Sequence, residues 1–151
     1  MKNKAFILVG HSNWGKSETI YSLKDDDRKK QHVIIKKAWI LVRSRSNDDI
    51  KHELLIMIKK IVKMDYKVII ILLCPRFDKK DTRNTLKILN ELIKKYSLYF
   101  FVLEKKYGID KTIRRTEIGK LKRYGRVKVL KGENERNIRA KEFKKYITEN
   151  L

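Results

Sequence analysis

Eight residues near the start of the chain have the types and spacing that suit the binding of phosphate groups. They are Gly10-His11-Ser12-Asn13-Trp14-Gly15-Lys16-Ser17, which fit the pattern Gly-x-x-x-x-Gly-Lys-Ser. The glycines let the backbone curl so that successive N–H groups point inward at phosphate oxygens. Lys16 can then reach the β- and γ-phosphates of a nucleoside triphosphate, and the Ser17 hydroxyl can coordinate a bridging Mg²⁺ ion. The pattern predicts a nucleotide-binding site with magnesium as its cofactor.

The residues on both sides of this phosphate loop (Gly10–Ser17) support that interpretation. The apolar run Ala5–Val9 predicts a short buried strand, and Lys16–Leu23 has helical spacing. A strand before the first glycine and a helix starting at the lysine are the context that the motif requires. We include Glu18 and Thr19, the next residues of that helix, in the predicted nucleotide-binding set. Three roles remain open for Trp14: it covers the phosphates, stacks on a base or packs in the interior.

The rest of the chain alternates between apolar runs typical of strands and periodic segments typical of helices. The predicted strands are Val33–Val42, with a bulge at Lys36-Lys37 as an alternative, Val68–Leu73, Leu98–Leu103 and Val127–Leu130. The predicted helices run from Asn47 or Asp48 to about Met64, and over Thr82–Tyr96, Asp110–Tyr124 and Asn134–Glu149. This alternation predicts one α/β domain over residues 1–151, a three-layer α/β/α arrangement around a mainly parallel five-stranded sheet.

The composition points to an anionic partner. Lysine and arginine number 39 against 18 aspartates and glutamates, giving a formal charge of +21. The resulting field favours nucleic acid, and it would equally steer small anionic substrates. The remaining alternative is that the high lysine content reflects the compositional bias of an A·T-rich genome or of a hot environment.

Other classes of protein are disfavoured. Cys74 is the only cysteine, which excludes an intrachain disulfide and a cysteine-based zinc cluster. No apolar run approaches the length of a membrane span, and the N-terminal apolar segment is too short for a signal sequence. We therefore expect a cytoplasmic protein without a membrane partner.

The phosphate loop and the β-α alternation resemble the P-loop NTPase superfamily over nearly the whole chain. The small size resembles its nucleoside and nucleotide kinases. The resemblance implies a P-loop NTPase fold, binding of ATP or GTP, and phosphoryl transfer. It also implies an acid at the end of a strand next to the loop's strand, a substrate region after the second strand, and an arginine-rich lid late in the chain.

One departure from that family concerns the acid. Val68–Leu73 ends in Cys74-Pro75-Arg76, where a Walker B motif would place an aspartate. Pro75-Arg76 is similar to the Pro-Arg on the substrate side of adenylate kinases. Leu98–Leu103 runs directly into Glu104, which we predict as the substitute acid. A solvated charge at a strand end is the alternative for Glu104.

The substrate region implied by the resemblance holds two arginines and two aspartates. Arg43 and Arg45 could hold a phosphate, and Asp48 or Asp49 could orient or deprotonate an attacking hydroxyl. The alternative is that Asn47, Asp48 and Asp49 cap the helix that follows.

By the resemblance, the segment Lys111–Lys128 occupies the position of the lid. Its Arg114, Arg115 and Arg123 could stabilise the charge that develops during phosphoryl transfer. A nucleic-acid-binding face or a solvated helix would also explain them.

Together with its resemblance to small P-loop kinases, the phosphate loop leads us to expect a magnesium-dependent phosphotransferase whose acceptor is a nucleotide or a polynucleotide end. The alternative is a nucleotide-dependent module that binds nucleic acid or protein with little turnover, and the missing Walker B aspartate favours it. A third interpretation is a loop that binds another phosphorylated or sulfated ligand. What separates the first two is whether Glu104 or Asp48 lies within reach of Ser17 and the γ-phosphate.

Overall fold

The computed structural model describes residues 3–48 and 53–151. Its strands are β1 (Asn3–Val9), β2 (His32–Ile35), β3 (Ala38–Val42), β4 (Val68–Leu73), β5 (Tyr96–Leu103) and β6 (Gly125–Leu130). Its helices are α1 (Lys16–Leu23), α2 (Glu53–Val62), α3 (Thr85–Leu92), α4 (Arg115–Lys122) and α5 (Arg136–Asn150). Asp49, one of the two candidate aspartates, lies outside the described residues, as does Ile50 in the predicted first turn of α2.

The strands form one sheet in the order β2-β3-β4-β1-β5-β6. All neighbouring pairs are parallel except β2 and β3, which are antiparallel. The predicted α/β class and mainly parallel sheet are confirmed, but the sheet has six strands in the described residues rather than five. Both β4 and β5 flank β1, so either could present an acid to the phosphate loop.

The sixth strand comes from the segment predicted as one strand, Val33–Val42. The chain reverses at Lys36 and Lys37, whose φ values are +48° and +66°. Two consecutive residues with positive φ make the tight turn that matches the twist of a hairpin. A Lys-Lys pair does not predict such a turn, because asparagine and glycine adopt positive φ more readily than lysine. The sequence therefore predicts one strand, with a bulge as the alternative, where the structure has two strands joined by a tight turn.

Helices lie on both faces of the sheet. Helix α1 packs against α5, and α2 packs against α3. Right-handed connections in a sheet of this order place these two pairs on opposite faces, which fits the predicted three layers. The central strand is accordingly apolar throughout its inner part, and Ala5 through Val9 are fully buried. None of the helices within residues 3–48 and 53–151 combines the length and the apolar character that crossing a bilayer requires.

The parallel strands bring five connecting loops to one edge of the sheet. Because β1, β3, β4, β5 and β6 are parallel, the loops that follow them all start at their carboxyl ends. In open α/β sheets this is the edge at which ligands bind. The phosphate loop is the central one of these loops.

Candidate phosphate-binding site

The phosphate loop joins β1 to α1 in the conformation that its glycines allow. Gly15 caps α1 with φ +81°, and Asn13 has φ +65°. A Cβ atom on Gly15 would stand 3.0 Å from a guanidinium nitrogen of Arg139 in addition to requiring this left-handed conformation. The first N–H groups of α1, which have no acceptor within the helix, therefore begin directly at the loop.

The Lys16 side chain is held inside the curve of the loop. It is 6% exposed, and its Nζ donates to the carbonyl oxygens of Gly10 at 2.6 Å and His11 at 2.9 Å. The same nitrogen lies 4.0 Å from Asp48 Oδ2. A buried ammonium held by carbonyls and one carboxylate can turn to a bound phosphate without leaving the site.

Asp48 is the acid that the fold brings to the loop. Its Oδ2 accepts a hydrogen bond from Ser12 Oγ at 2.6 Å, and its Oδ1 accepts one from Ser46 Oγ. Burial raises the pKa of Asp48, but the hydrogen bonds from Ser12 and Ser46 and the charge of Lys16 outweigh burial and hold that pKa below its ordinary value. Asp48 is therefore ionised at neutral pH.

Asn47 fixes the position of Asp48. Its side chain is 3% exposed, and its Nδ2 donates to the carbonyl oxygens of Cys74 and Arg83, both at 2.9 Å. Its Oδ1 accepts from the Cys74 backbone N–H at 2.7 Å. These bonds tie the loop after β3 to the end of β4. Sequence reasoning assigned Asn47 only a capping role, because a residue type alone does not reveal a partner 27 positions away.

A cavity of about 210 Å³, here called the loop cavity, brings the proposed metal ligands together. Lys16, Ser17, Ser46 and Asp48 line it, together with Asn13, Trp14, Gly15 and Glu18. Within the described residues there is no group of three or more His, Cys, Asp or Glu side chains that could hold a metal ion. The Ser17 hydroxyl and the Asp48 carboxylate nevertheless suit Mg²⁺, which prefers oxygen ligands and often uses one or two carboxylates together with substrate phosphates.

Glu104 is engaged elsewhere. Its carboxylate accepts a hydrogen bond from the Gly132 N–H at 3.0 Å and lies 3.4 Å from Lys131 Nζ. The Gly132 N–H and the Lys131 charge hold the pKa of Glu104 below its ordinary value. The side chain thus links the end of β5 to the loop after β6, and it does not line the loop cavity. Asp48, and not Glu104, is the candidate acid beside Ser17.

The predicted arginines are divided among different places. Arg43 and Arg45 line a separate cavity beside β3, and Arg43 Nη1 donates to Gln31 Oε1 at 3.0 Å. Arg114 lines a cavity of about 790 Å³ between the phosphate loop and α4, here called the α4 cavity. Arg115 and Arg123 are exposed and do not line that cavity. Of the three candidate lid arginines, only Arg114 therefore lines the cavity next to the phosphate loop.

Trp14 and Arg139 form the other side of the loop. Trp14 is 4% exposed, which favours the packing role over a flap. Arg139, on α5 and 3% exposed, donates from Nη1 to the Trp14 carbonyl oxygen and from Nη2 to the Lys105 carbonyl oxygen at 3.3 Å. Sequence reasoning missed Arg139, since nothing in a basic closing helix distinguishes one buried arginine from the exposed ones.

A further cavity of about 420 Å³, here called the α5 cavity, adjoins the loop on this side. It shares Asn13, Trp14, Gly15 and Glu18 with the loop cavity. Lys106, Tyr107, Asn134, Glu135, Arg136 and Arg139 complete it. The two cavities together offer a small polar end at the phosphate loop and a wider end at Tyr107.

His11 forms an ion pair with α4. Its Nε2 lies 3.0 Å from Glu117 Oε1. Hydrogen bonds to Cys74 and to Glu117 raise the pKa of His11 to about 9 despite its partial burial. Glu117 shows the complementary effect: burial raises its pKa, but the hydrogen bond from His11 outweighs burial and lowers it. His11 is therefore an imidazolium at neutral pH.

This pair predicts a pH-dependent contribution to stability. The pKa of His11 rises on folding from 6.5 to about 9, so the stabilisation is complete below pH 6.5 and is lost as the pH rises through 9. We expect wild type to exceed His11→Gln in unfolding free energy by about 1 kcal/mol near pH 6, the size of a partly exposed ion pair, and by almost nothing above pH 9. Denaturant unfolding at several pH values measures the difference. Glu117→Gln should show the same dependence, and a difference that does not change with pH would contradict the pair.

No protein-family model, curated protein or solved structure gave a significant match to this chain.

Proposed function

We propose that this chain is a magnesium-dependent phosphotransferase of the P-loop NTPase type that uses ATP or GTP. The observation that carries the proposal is the presence of Asp48 in one cavity with Lys16 and Ser17. Cys74 follows β4 at the position where a Walker B motif would place an aspartate. Asp48 supplies a carboxylate instead, from the loop after β3, which is the neighbour of β4 in the sheet. The proposed metal site therefore has a carboxylate without that aspartate.

The donor nucleotide occupies the loop cavity and the α5 cavity. Its phosphates lie at the phosphate loop, where the N-terminus of α1 and the Lys16 ammonium offset their charge. Its nucleoside lies in the α5 cavity, where Tyr107 is 59% exposed and available for stacking. The four residues common to both cavities make this a continuous path.

Ser17 and Asp48 would hold the magnesium ion. When bound, the ion would supply positive charge that stabilises the negative charge on the phosphate oxygens. The chain contributes the hydroxyl and carboxylate that position the ion, and Asn47 fixes the carboxylate. Ser12 and Ser46 keep Asp48 ionised by donating hydrogen bonds to it.

The acceptor belongs in the α4 cavity rather than beside Arg43 and Arg45. The α4 cavity borders His11 and Ser12 at the start of the phosphate loop, and Lys111, Arg114 and Lys120 line its other side. These cations suit an acceptor that carries phosphate, such as a nucleotide or a polynucleotide end. Catalysis then comes from positioning the acceptor hydroxyl and from electrostatic stabilisation.

A nucleotide-dependent binding module without turnover is the second candidate. It is favoured by Cys74 at the end of β4 and by the engagement of the Lys16 ammonium with the Gly10 and His11 carbonyls. Both features fit a site that holds a nucleotide without activating it. The two candidates agree on nucleotide binding and differ only in turnover.

Calorimetric titration of wild type with ATP, GTP and ADP tests the proposal, with and without magnesium. We expect binding of at least one triphosphate that magnesium strengthens. Phosphate release and transfer on the same samples, with mononucleotides and oligonucleotides as acceptors, should then show turnover. Binding without turnover supports the module, and the absence of binding by any nucleotide rules out both candidates.

A further inference from the structure

A basic groove of about 810 Å³ lies beside the phosphate loop, between the connection that follows α1 and the end of β3. Ten described residues line it, and six of them are lysine or arginine. These six are Lys24, Arg28, Lys29, Lys30, Arg43 and Arg45. None of the described lining residues is acidic, although the whole chain has 18 acids. The charged residues that line the groove are therefore all positive.

The hydrogen bonds of a buried lysine hold one wall of the groove in place. Lys24 is 4% exposed, and its Nζ donates to the carbonyl oxygens of Lys30 at 2.9 Å and Arg28 at 3.3 Å. This folds residues 25–30 back over the end of α1. The opposite wall is joined to the first, since the Val42 N–H donates to the Gln31 carbonyl oxygen at 2.8 Å. Lys29 and Lys30 remain exposed at the rim.

The number and kind of side chains favour a chain of phosphates over a single one. One phosphate group is satisfied by one or two cations, whereas this groove offers five besides the buried Lys24. Its described lining contains no aromatic residue on which a base could stack. Contact would then be with phosphates and without base recognition, which is how proteins hold nucleic acid in a sequence-independent manner.

We propose that the basic groove binds the phosphodiester backbone of a polynucleotide. The groove adjoins the nucleotide site, because Ser17 Oγ donates to the Ser44 carbonyl oxygen at 3.4 Å and Arg28 Nη2 lies 3.6 Å from Glu18 Oε1. A bound strand thus runs past the start of α1. The inference does not depend on phosphoryl transfer, since it concerns binding alone.

The test is the affinity of wild type and of Lys29→Gln/Lys30→Gln/Arg43→Gln for labelled single- and double-stranded DNA and RNA, measured over a range of salt concentrations without nucleotide. We expect the triple variant to bind at least about tenfold more weakly at low salt. Losing three phosphate contacts should also reduce the slope of log affinity against log salt by about 2 on a single strand. A preference for one kind of strand would identify the partner within the same chemistry.

Two further variants make the result decisive. Lys141→Gln/Lys144→Gln/Lys145→Gln removes the same charge from exposed positions of α5 and should keep most of the affinity and slope. Lys29→Arg/Lys30→Arg/Arg43→Lys keeps the charge of the groove and should bind like wild type. Equal losses in the two glutamine variants, or no polynucleotide binding by wild type, would overturn the proposal. Nucleotide binding, measured separately, should be the same in all four proteins, so a failure of the groove is distinguishable from a failure of the nucleotide site.

Discussion

Replacing Lys16 with alanine is expected to weaken triphosphate binding by at least about 100-fold. Hydrogen bonds to charged groups contribute about 1.5–3 kcal/mol each, and this ammonium can reach two phosphates of the nucleotide. A loss of about 3 kcal/mol corresponds to the stated factor. Calorimetry with ATP or GTP and magnesium measures it. The buried position of Lys16 places its charge where solvent screens it least.

The same burial makes a stability control necessary. Alanine would leave the Gly10 and His11 carbonyls without the Lys16 donor, so part of any loss could come from a rearranged loop. Lys16→Met keeps most of the aliphatic length without the charge and should lose binding to a similar extent. Lys63→Ala removes an exposed charge that borders none of the cavities at the loop, and it should bind like wild type. Normal affinity in both Lys16 variants would contradict the phosphate-binding role.

Replacing Asp48 with asparagine is expected to lower the rate of phosphoryl transfer or hydrolysis by about 100-fold or more. Groups that stabilise charge in a transition state typically contribute factors of this size. Asparagine keeps the shape and can still accept from Ser12, but it cannot offset the charge of Mg²⁺. Steady-state rates over a range of magnesium concentrations measure the effect, and we expect a weaker dependence on magnesium in the variant.

The affinity for ATP without magnesium is a second, independent test of Asp48→Asn. Removing a carboxylate beside the phosphates removes a repulsion, so metal-free ATP should bind as well as or better than in wild type. Glu104→Gln is the matched comparison and should keep wild-type rates, because Glu104 pairs with Lys131 and Gly132. The reverse result, with Glu104→Gln inactive and Asp48→Asn active, would assign the metal to Glu104.

The local part of the site was predictable because its signals are contiguous in the sequence. The predicted strand before Gly10 and the predicted helix that starts at Lys16 lie within residues 3–23, and the structure has both, with a loop between them. The ends of other elements shifted by a few residues. For example, α3 begins at Thr85 rather than Thr82, because Asn84 accepts from the Leu86 N–H and so caps the helix. Capping depends on backbone geometry that the residue types only suggest.

The sequence by itself thus determined the strand–loop–helix around Gly10–Ser17, the α/β class and the strongly basic composition, since motif, periodicity and composition are local properties. Only the tertiary structure decided which acid stands at that loop. Asp48 lies near Lys16 because the hydrogen bonds of Asn47 hold the loop after β3 against the end of β4. The Glu104 carboxylate accepts a hydrogen bond from the Gly132 N–H instead. The contact between His11 and Glu117 spans 106 positions. Such pairings depend on strand order and loop closure, which one-dimensional patterns do not contain.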